Sequence, residues 1–381
     1  MKEKVKYIGF YDLLDSKYKR NSCLSAVNKM NYIVDTITRT GRGVEIISPS
    51  WYIDRNVTYT PKQVISINKD ITLIQAPSFR TKNKITGRVK CYFSMIWLFC
   101  YLLINVKCNE EIIVYHSLAL IKPIRWAKKI KKFKCIYEVE EIYTDVGKHR
   151  RNKKINELKM IYNADKYIFS TELLNEKLNI RSKPYIISYG AYGVELKREN
   201  KLQDGKIHAV YAGTLDPIKG GAIKAVKVGE HLDENYHIHI IGFGNLEDKK
   251  ALENLIKQTS EITKCAITYD GLYSGEEYIK FLQKCHIGFS TQTSDGTYND
   301  TSFPSKVLSY LANGLRVVSI KIKVLECSKV GDLLYYYNGD DTKDIANTIK
   351  NIDFKSQYDS RERLRQLDRE FISRLEYLME V

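Results

Sequence analysis

From Ile207 onward the chain repeats one pattern, a short apolar run closed by a turn residue and followed by a helix-like segment. The runs are "IHAVYAG", "YHIHIIG", "CAITYDG", "CHIGFST", "RVVSI" and "DLLYYY", and most end in Gly, Ser or Thr. Between them lie candidate helices at about 221–232, 246–259, 275–284, 304–313 and 340–351. Such alternation predicts successive βαβ units, hence a parallel sheet with helices on both faces.

The first half follows the same rhythm less cleanly. "VKYIGFY", "GVEIISP", "EIIVYHS", "CIYEVEE" and "KYIFST" read as strands, with helices near 22–40, 89–107, 122–134 and 152–163. At 381 residues the chain is longer than one core usually grows, and two Rossmann-like α/β domains are expected. We place them at 1–192 and 207–352, joined by the polar linker 193–206, "GVELKRENKLQDGK". A terminal segment, 353–381, carries Leu364, Leu367, Phe371, Leu375 and Leu378 at helical spacing and predicts an amphipathic helix, placed provisionally against the N-terminal domain.

Charge is unevenly distributed. Residues 1–200 hold 37 Lys/Arg against 19 Asp/Glu, whereas residues 201–381 hold 24 against 26. The basic excess belongs to the first half alone, which points to an anionic partner there, a membrane surface or a nucleic acid, or else to a solvated basic face. "KPIRWAKKIKKFK", 122–134, sets Trp126, Ile130 and Phe133 among seven Lys/Arg. With the apolar run Cys91–Val106 it suggests a domain resting on anionic lipid, the alternative being two helices packed on the sheet with their lysines solvated. That run covers 16 positions against the roughly 20 a bilayer span needs, so a buried or membrane-lying helix is expected. No secretory leader is expected from "MKEKVKYIGFYDLL", and eight scattered cysteines without paired spacing predict a reduced, cytoplasmic setting.

Ligands of doubly wound sheets sit beyond the carboxyl ends of the strands. Four loops there carry suitable groups. "AGTLDPIKGG" follows a strand and opens a helix, with Gly213 and Thr214 in the turn and Lys219 available to a phosphate. "IGFGNLE" brings Gly242 and Gly244, which bare the backbone, and "YDGLYSGEE" is a third turn. The fourth, "TQTSDGTYNDTSFPSK", leads into "FPSKVLSYLANG". Pro304 suits a first helical position, so the free amides near Ser305 and Lys306, with the Lys306 charge, form a diphosphate cradle. Ser302, Ser305, Ser309 and Asn313 recur about a turn apart, which aims Ser309 along a polar stripe or leaves it as a small packing residue.

These loops make the second half similar to the retaining GT-B glycosyltransferases of family 4, across roughly residues 205–352, with the first half matching in outline. The resemblance implies two Rossmann-like domains facing across a cleft, a nucleotide-sugar donor bound by Gly213, Thr214, Lys219, Gly242, Gly244, Thr301, Ser302, Ser305, Lys306 and Ser309, and no bound metal or other cofactor. It further implies transfer to a glycan or lipid-linked acceptor in bacterial polysaccharide biosynthesis, at the inner face of the cell membrane, with retention. Lys219 and Lys306 would stabilise the leaving diphosphate. Glu140, in "YEVEEIYTD", falls near the family's acceptor-side histidine and joins them as a catalytic candidate. Asn28, Lys29, His116 and Glu141 complete the acceptor side.

The chain also departs from the family. Thr214 stands where relatives carry an arginine, and Thr301 and Ser309 stand where they carry two glutamates eight positions apart. These departures keep open a catalytically silent binding or scaffold protein. A nucleic-acid binder draws only on the basic first half, without a matching motif, and no nucleic acid is expected. His237 and His239 share a strand face, but their segment offers no further ligand, so no metal is expected there.

Overall fold

The computed structural model describes residues 4–13, 15, 16, 18–53, 59–79, 84–146, 151–217, 220–292, 299 and 301–380. The chain divides into two compact units, one formed by Met1–Ala191 with Arg369–Val381 and the other by Tyr192–Asp368.

The first unit is built on an eight-stranded sheet. Its strands in chain order are β1 (Val5–Ile8), β2 (Val44–Ser48), β3 (Tyr59–Thr60), β4 (Gln63–Ser66), β5 (Ile71–Gln75), β6 (Ser78–Phe79), β7 (Glu111–Tyr115), β8 (Lys134–Val139), β9 (Lys166–Phe169) and β10 (Tyr185–Ile187). The spatial order is β10-β9-β8-β7-β1-β2-β5-β4, with β3 and β6 forming a separate antiparallel pair. All pairings in the large sheet are parallel except β4 with β5. Because helices cover both faces, central strands bury consecutive residues: Ile112, Ile113 and Val114 are all inaccessible. The order turns back between β1 and β7, so the sheet's switch point lies at their carboxyl ends.

Helix α1 (Leu24–Arg39) returns from β1 and buries Val27, Met30, Ile33, Val34 and Ile37, one stripe at helical spacing. Helix α2 (Lys84–Asn105) is longer than the apolar run suggested, and its stretch Gly87–Asn105 is long and apolar enough to cross a membrane. One side of it is fastened to the unit: Leu98, Tyr101 and Leu102 enter the core, and Lys90 donates to the Tyr52 carbonyl at 2.6 Å. Its other side exposes Tyr92, Phe93, Ile96 and Ile104. Helix α3 (Ile121–Lys131) packs beside α2, buries Ile121, Ile124 and Ala127, and exposes Trp126 and Ile130. Helices α4 (Tyr143–Val146), α5 (Arg151–Tyr162) and α6 (Glu172–Leu178) complete the coverage up to β10.

The second unit holds six parallel strands: β11 (Ile207–Thr214), β12 (Tyr236–Phe243), β13 (Ala266–Gly271), β14 (Ile287–Ser290), β15 (Arg316–Ile320) and β16 (Leu334–Tyr337). Their order, β13-β12-β11-β14-β15-β16, is the doubly wound arrangement of a dinucleotide-binding sheet, with its switch point between β11 and β14. The interleaved helices are α7 (Gly221–Val228), α8 (Leu246–Ser260), α9 (Gly275–Lys284), α10 (Ser305–Ala312), α11 (Lys323–Glu326) and α12 (Thr342–Lys350). Helix α13 (Ser360–Glu380) begins in this unit and ends in the first, where Phe371 stacks on Tyr32 at 5.6 Å and the Leu378 carbonyl accepts from Lys166 Nζ at 2.6 Å.

Candidate functional site

Beside the switch point of the second unit the ends of β11 and β12 approach closely, main chain to main chain. Gly213 lies opposite Gly242 in the ladder. Gly242 takes φ 146°, and a Cβ there would stand 1.7 Å from the Gly213 carbonyl oxygen, so only glycine fits. Three residues on, Asn245 caps α8 by accepting from the Asp248 amide at 2.8 Å, and the Asp248 carboxylate accepts in turn from the Asn245 amide. The loop leaving β12 is thereby pinned, with half-buried Gly244 set close against Leu215 and Asp248.

Helix α10 is locked across β11 and β14 by Tyr310. Its fully buried ring lies where a side chain on Gly288 would be, and its hydroxyl accepts from the Ala212 amide at 2.9 Å. Pro304 serves as the N-cap and the helix begins at Ser305, one residue later than the spacing suggested. The consequence for the amides is the same, because the first turn of any helix presents N–H groups without an intrahelical acceptor.

Lys306, in that first turn, reaches back over β11. Its Nζ lies 3.8 Å from the centroid of the Tyr211 ring, and its terminal carbon and nitrogen occupy the place a Gly213 side chain would take. Tyr211 is itself fixed, donating its hydroxyl to the Thr214 carbonyl at 3.0 Å. The fold thus gathers Gly213, Thr214, Gly242, Lys306 and the amino terminus of α10 at one strand edge, a surface of main-chain amides and one cation suited to an anion. Ser305 is exposed, Ser302 half-buried and Thr301 buried. Lys219 lies outside the described residues. Ser309 turns its hydroxyl to Tyr278 of α9 at 3.2 Å, and Asn313 likewise receives Gln283 Nε2 at 3.1 Å, so the polar stripe on α10 is engaged by α9.

In the first unit the carboxyl ends of β1, β7 and β8 carry a second polar group. Lys29, buried on α1, donates to the Ser188 carbonyl at 2.5 Å and to its hydroxyl at 2.9 Å, and lies 3.4 Å from Glu140 Oε1. Asn28, one step along the helix, is exposed. Glu138 is inaccessible and accepts from the Tyr7 hydroxyl. Burial first, and then the neighbouring Glu140 charge, push its carboxyl up to about 8. His116 is also inaccessible, stacks on Tyr143 at 5.2 Å, and is held near 4 by burial, hence neutral. Its Nε2 lies 3.5 Å from Glu157, which accepts the Tyr143 amide at 2.8 Å. His116 is therefore closed off from solvent. Glu140 and Glu141 are half-buried, so Glu140 with Lys29 is the pair able to meet a ligand.

Sequence reasoning did not select Tyr211, Tyr310, Ser188 or Glu138 as site groups. It also left His237 and His239 without a further ligand, whereas the ladder sets His208 of β11 directly opposite His237.

No family model matches the chain, and no curated protein matches its sequence. Solved structures do match over nearly its full length. An α,α-trehalose-6-phosphate synthase from Burkholderia multivorans is similar with TM-score 0.64 at 10% identity, covering 99% of this chain and 96% of its own. The lipopolysaccharide outer core galactosyltransferase WaaB gives 0.63 at 13% identity, covering 99% of both chains. Anabaena HepE, solved in complex with UDP, gives 0.62 at 9% identity, covering 99% and 98%. These neighbours are GT-B glycosyltransferases, and the likeness shows that the present chain has the GT-B fold.

Proposed function

We propose that the protein is a glycosyltransferase that moves a sugar from a nucleotide-sugar donor, held by the second unit, to a glycan or lipid-linked acceptor held by the first. The observation that carries this reading is the seating of Lys306 and the α10 amino terminus over the glycine-bared ends of β11 and β12, at the switch point of the sheet. In the reaction the bond from the sugar's anomeric carbon to the donor diphosphate breaks, a bond to an acceptor hydroxyl oxygen forms, and the hydroxyl proton passes to the departing diphosphate. Negative charge develops on the leaving diphosphate. Helix amides and the Lys306 ammonium are pre-oriented to stabilise it, with Lys219 the further candidate of the neighbouring loop. Glu140, beside Lys29, is the candidate to orient the acceptor hydroxyl. Retention, and a place in bacterial polysaccharide synthesis, follow by likeness to family 4. No metal or other cofactor is required for this chemistry.

The first unit's basic excess and the exposed aromatic and aliphatic side chains of α2 and α3 support a peripheral position on an anionic membrane at the cytoplasmic face. The one-sided fastening of α2 to the core favours a helix that lies on the bilayer over one that crosses it.

The test is a thermal-shift screen against nucleoside diphosphates followed by a transfer assay with the matching sugar nucleotides. A ligand at about 100 times its Kd adds ~2.7 kcal/mol to the folded state, enough for a clear rise in melting temperature. UDP is the first ligand to try. If no nucleoside diphosphate shifts the transition, the silent scaffold reading replaces this one.

A further inference from the structure

In the second unit, at the end of the sheet away from the glycine loops, three histidines converge. His208 on β11 and His237 on β12 are ladder partners, and His239 follows on the same face of β12. His208 and His239 are buried, and His237 is half-buried. One ring nitrogen from each of the three lies within 4.8 Å of the others. The rings of His237 and His239 stack at 3.9 Å, and those of His208 and His239 at 5.2 Å.

The hydrogen bonds around these rings fix how their protons are arranged. His208 Nε2 lies 2.9 Å from Asp204 Oδ1, and His239 Nδ1 lies 3.0 Å from Asp270 Oδ2. An ionised carboxylate only accepts, so each of these nitrogens carries the proton of its ring. The inner nitrogens, His208 Nδ1 and His239 Nε2, then both present lone pairs, and they face each other at 2.9 Å. Two neutral imidazoles supply two protons to a chain of three such contacts. The inner nitrogens are thereby placed to share one metal ion. The third histidine is prepared in the same way. Thr268 donates its hydroxyl to Asp270 at 2.9 Å, which leaves the Thr268 oxygen to accept from His237 Nε2 at 3.1 Å and leaves His237 Nδ1 with a lone pair.

We propose that His208, His237 and His239 form a transition-metal site of the zinc type, with Asp204, Asp270 and Thr268 as the groups that orient the three imidazoles. Imidazole nitrogens backed by carboxylates are the arrangement that holds a metal-bound histidine in one tautomer and raises its basicity. Tetrahedral zinc with Zn–N of about 2.0–2.1 Å sets its nitrogens roughly 3.3 Å apart. The 2.9 Å pair needs a small opening, and His237 needs a modest turn of its ring to close from within the 4.8 Å limit. A fourth ligand enters from solvent past His237. The site joins β11, β12 and the carboxylate of β13 at the end of the sheet remote from Lys306, so it clamps the fold and takes no part in group transfer.

The experiment uses the untagged full chain, with exposed cysteines alkylated and adventitious metal removed by a chelator, titrated with Co²⁺ near neutral pH. One cobalt per chain is expected, with visible absorption of a nitrogen-ligated ion, a raised melting temperature, and displacement by Zn²⁺. His237→Gln, at the half-buried member of the three, and Asp270→Asn should each weaken binding about 10–100-fold. A wild-type chain that takes up no stoichiometric cobalt overturns the proposal and assigns the gap between the rings to a proton. Cobalt binding unchanged in both variants also overturns it. Neither result bears on nucleotide binding, which reports on the other end of the sheet.

Discussion

Lys306 Nζ stands 3.8 Å from the centre of the Tyr211 ring, so this cation at the amino terminus of α10 is held over β11 by the strand's own aromatic side chain. A cation–π contact of this kind contributes about 0.5–2 kcal/mol and fixes where the charge sits. Lys306→Ala should weaken UDP binding at least about tenfold and lower transfer roughly 100-fold, while the melting temperature changes by only a few degrees. Tyr211→Leu should weaken binding less, since it frees the ammonium without removing it. Isothermal titration with UDP separates the two; equal affinity in wild type and Lys306→Ala would remove the lysine from the donor site.

Gly242 and Gly41 both adopt positive φ, at 146° and 79°, but only Gly242 has a neighbour where its Cβ would go. Gly41→Ala carries backbone strain alone, about 1 kcal/mol. Gly242→Ala must also displace the Gly213 carbonyl and should cost several times more, or prevent folding. Urea unfolding of the two variants checks the difference, and similar losses would show that the strands part easily.

Tyr310→Phe keeps the ring under Gly288 but removes the hydroxyl that satisfies the buried Ala212 amide. An orphaned buried donor costs about 1–3 kcal/mol. The expected result is that loss without a change of fold, read by chemical unfolding and circular dichroism.

The buried carboxyl of Glu138 predicts a pH effect of unusual sign. Burial raises it to about 8 from the ordinary 4.5 of a free glutamic acid, so between these limits the folded chain binds the extra proton and stability falls as pH rises, by up to ~1.4 kcal/mol per unit. His116, held near 4 against 6.5, acts oppositely: its contribution is present above pH 6.5 and is lost as pH falls toward 4. Glu138→Gln should therefore be more stable relative to wild type at pH 8 than at pH 5. A difference that does not grow with pH would mean that Glu138 is ionised in the folded state.

Membrane association is tested by sedimentation with vesicles. Wild type should bind vesicles rich in anionic lipid, release at high salt, and ignore neutral ones. Replacing the exposed Ile96 and Ile104 with Asp should reduce binding by tenfold or more, since burial of one such side chain contributes roughly 1.5–3 kcal/mol. Equal binding by the double variant would assign the attraction to the lysines alone.

How much of this was legible in the chain follows from the range of each interaction. The second unit's strands and helices were read within a few residues, because each is a local period bounded by its own turn signal. In the first unit β3, β4, β5, β6 and β10 went unassigned: β4 is the antiparallel edge, where Val64 is exposed, whereas β5 pairs in parallel with β2 and buries Leu73 and Ile74 but has its short apolar run broken by Thr72. Gly213, Gly242 and Lys306 could be named from turn chemistry, but the seat of Lys306 on Tyr211 depends on packing between segments nearly a hundred positions apart. The pairing of His208 with His237 is a matter of register between strands, which periodicity along either one does not contain. Pro304 was misplaced by one residue for the opposite reason, since its ring suits the cap and the first turn alike.

Gly213 and Gly242 make the paired ends of β11 and β12 rich in bare peptide groups, with Lys306 laid across them. Peptide groups carry no side chain to exchange, so what they recognise is what every peptide group recognises, the negative charge and oxygen atoms of an anion. Discrimination between one nucleotide and another, or one sugar and another, has to be written in the surrounding loops and in α9 and α10. The part of such a protein that defines its chemistry can thus persist while the rest is rewritten, which is consistent with structural agreement over nearly the whole chain at 9–13% identity.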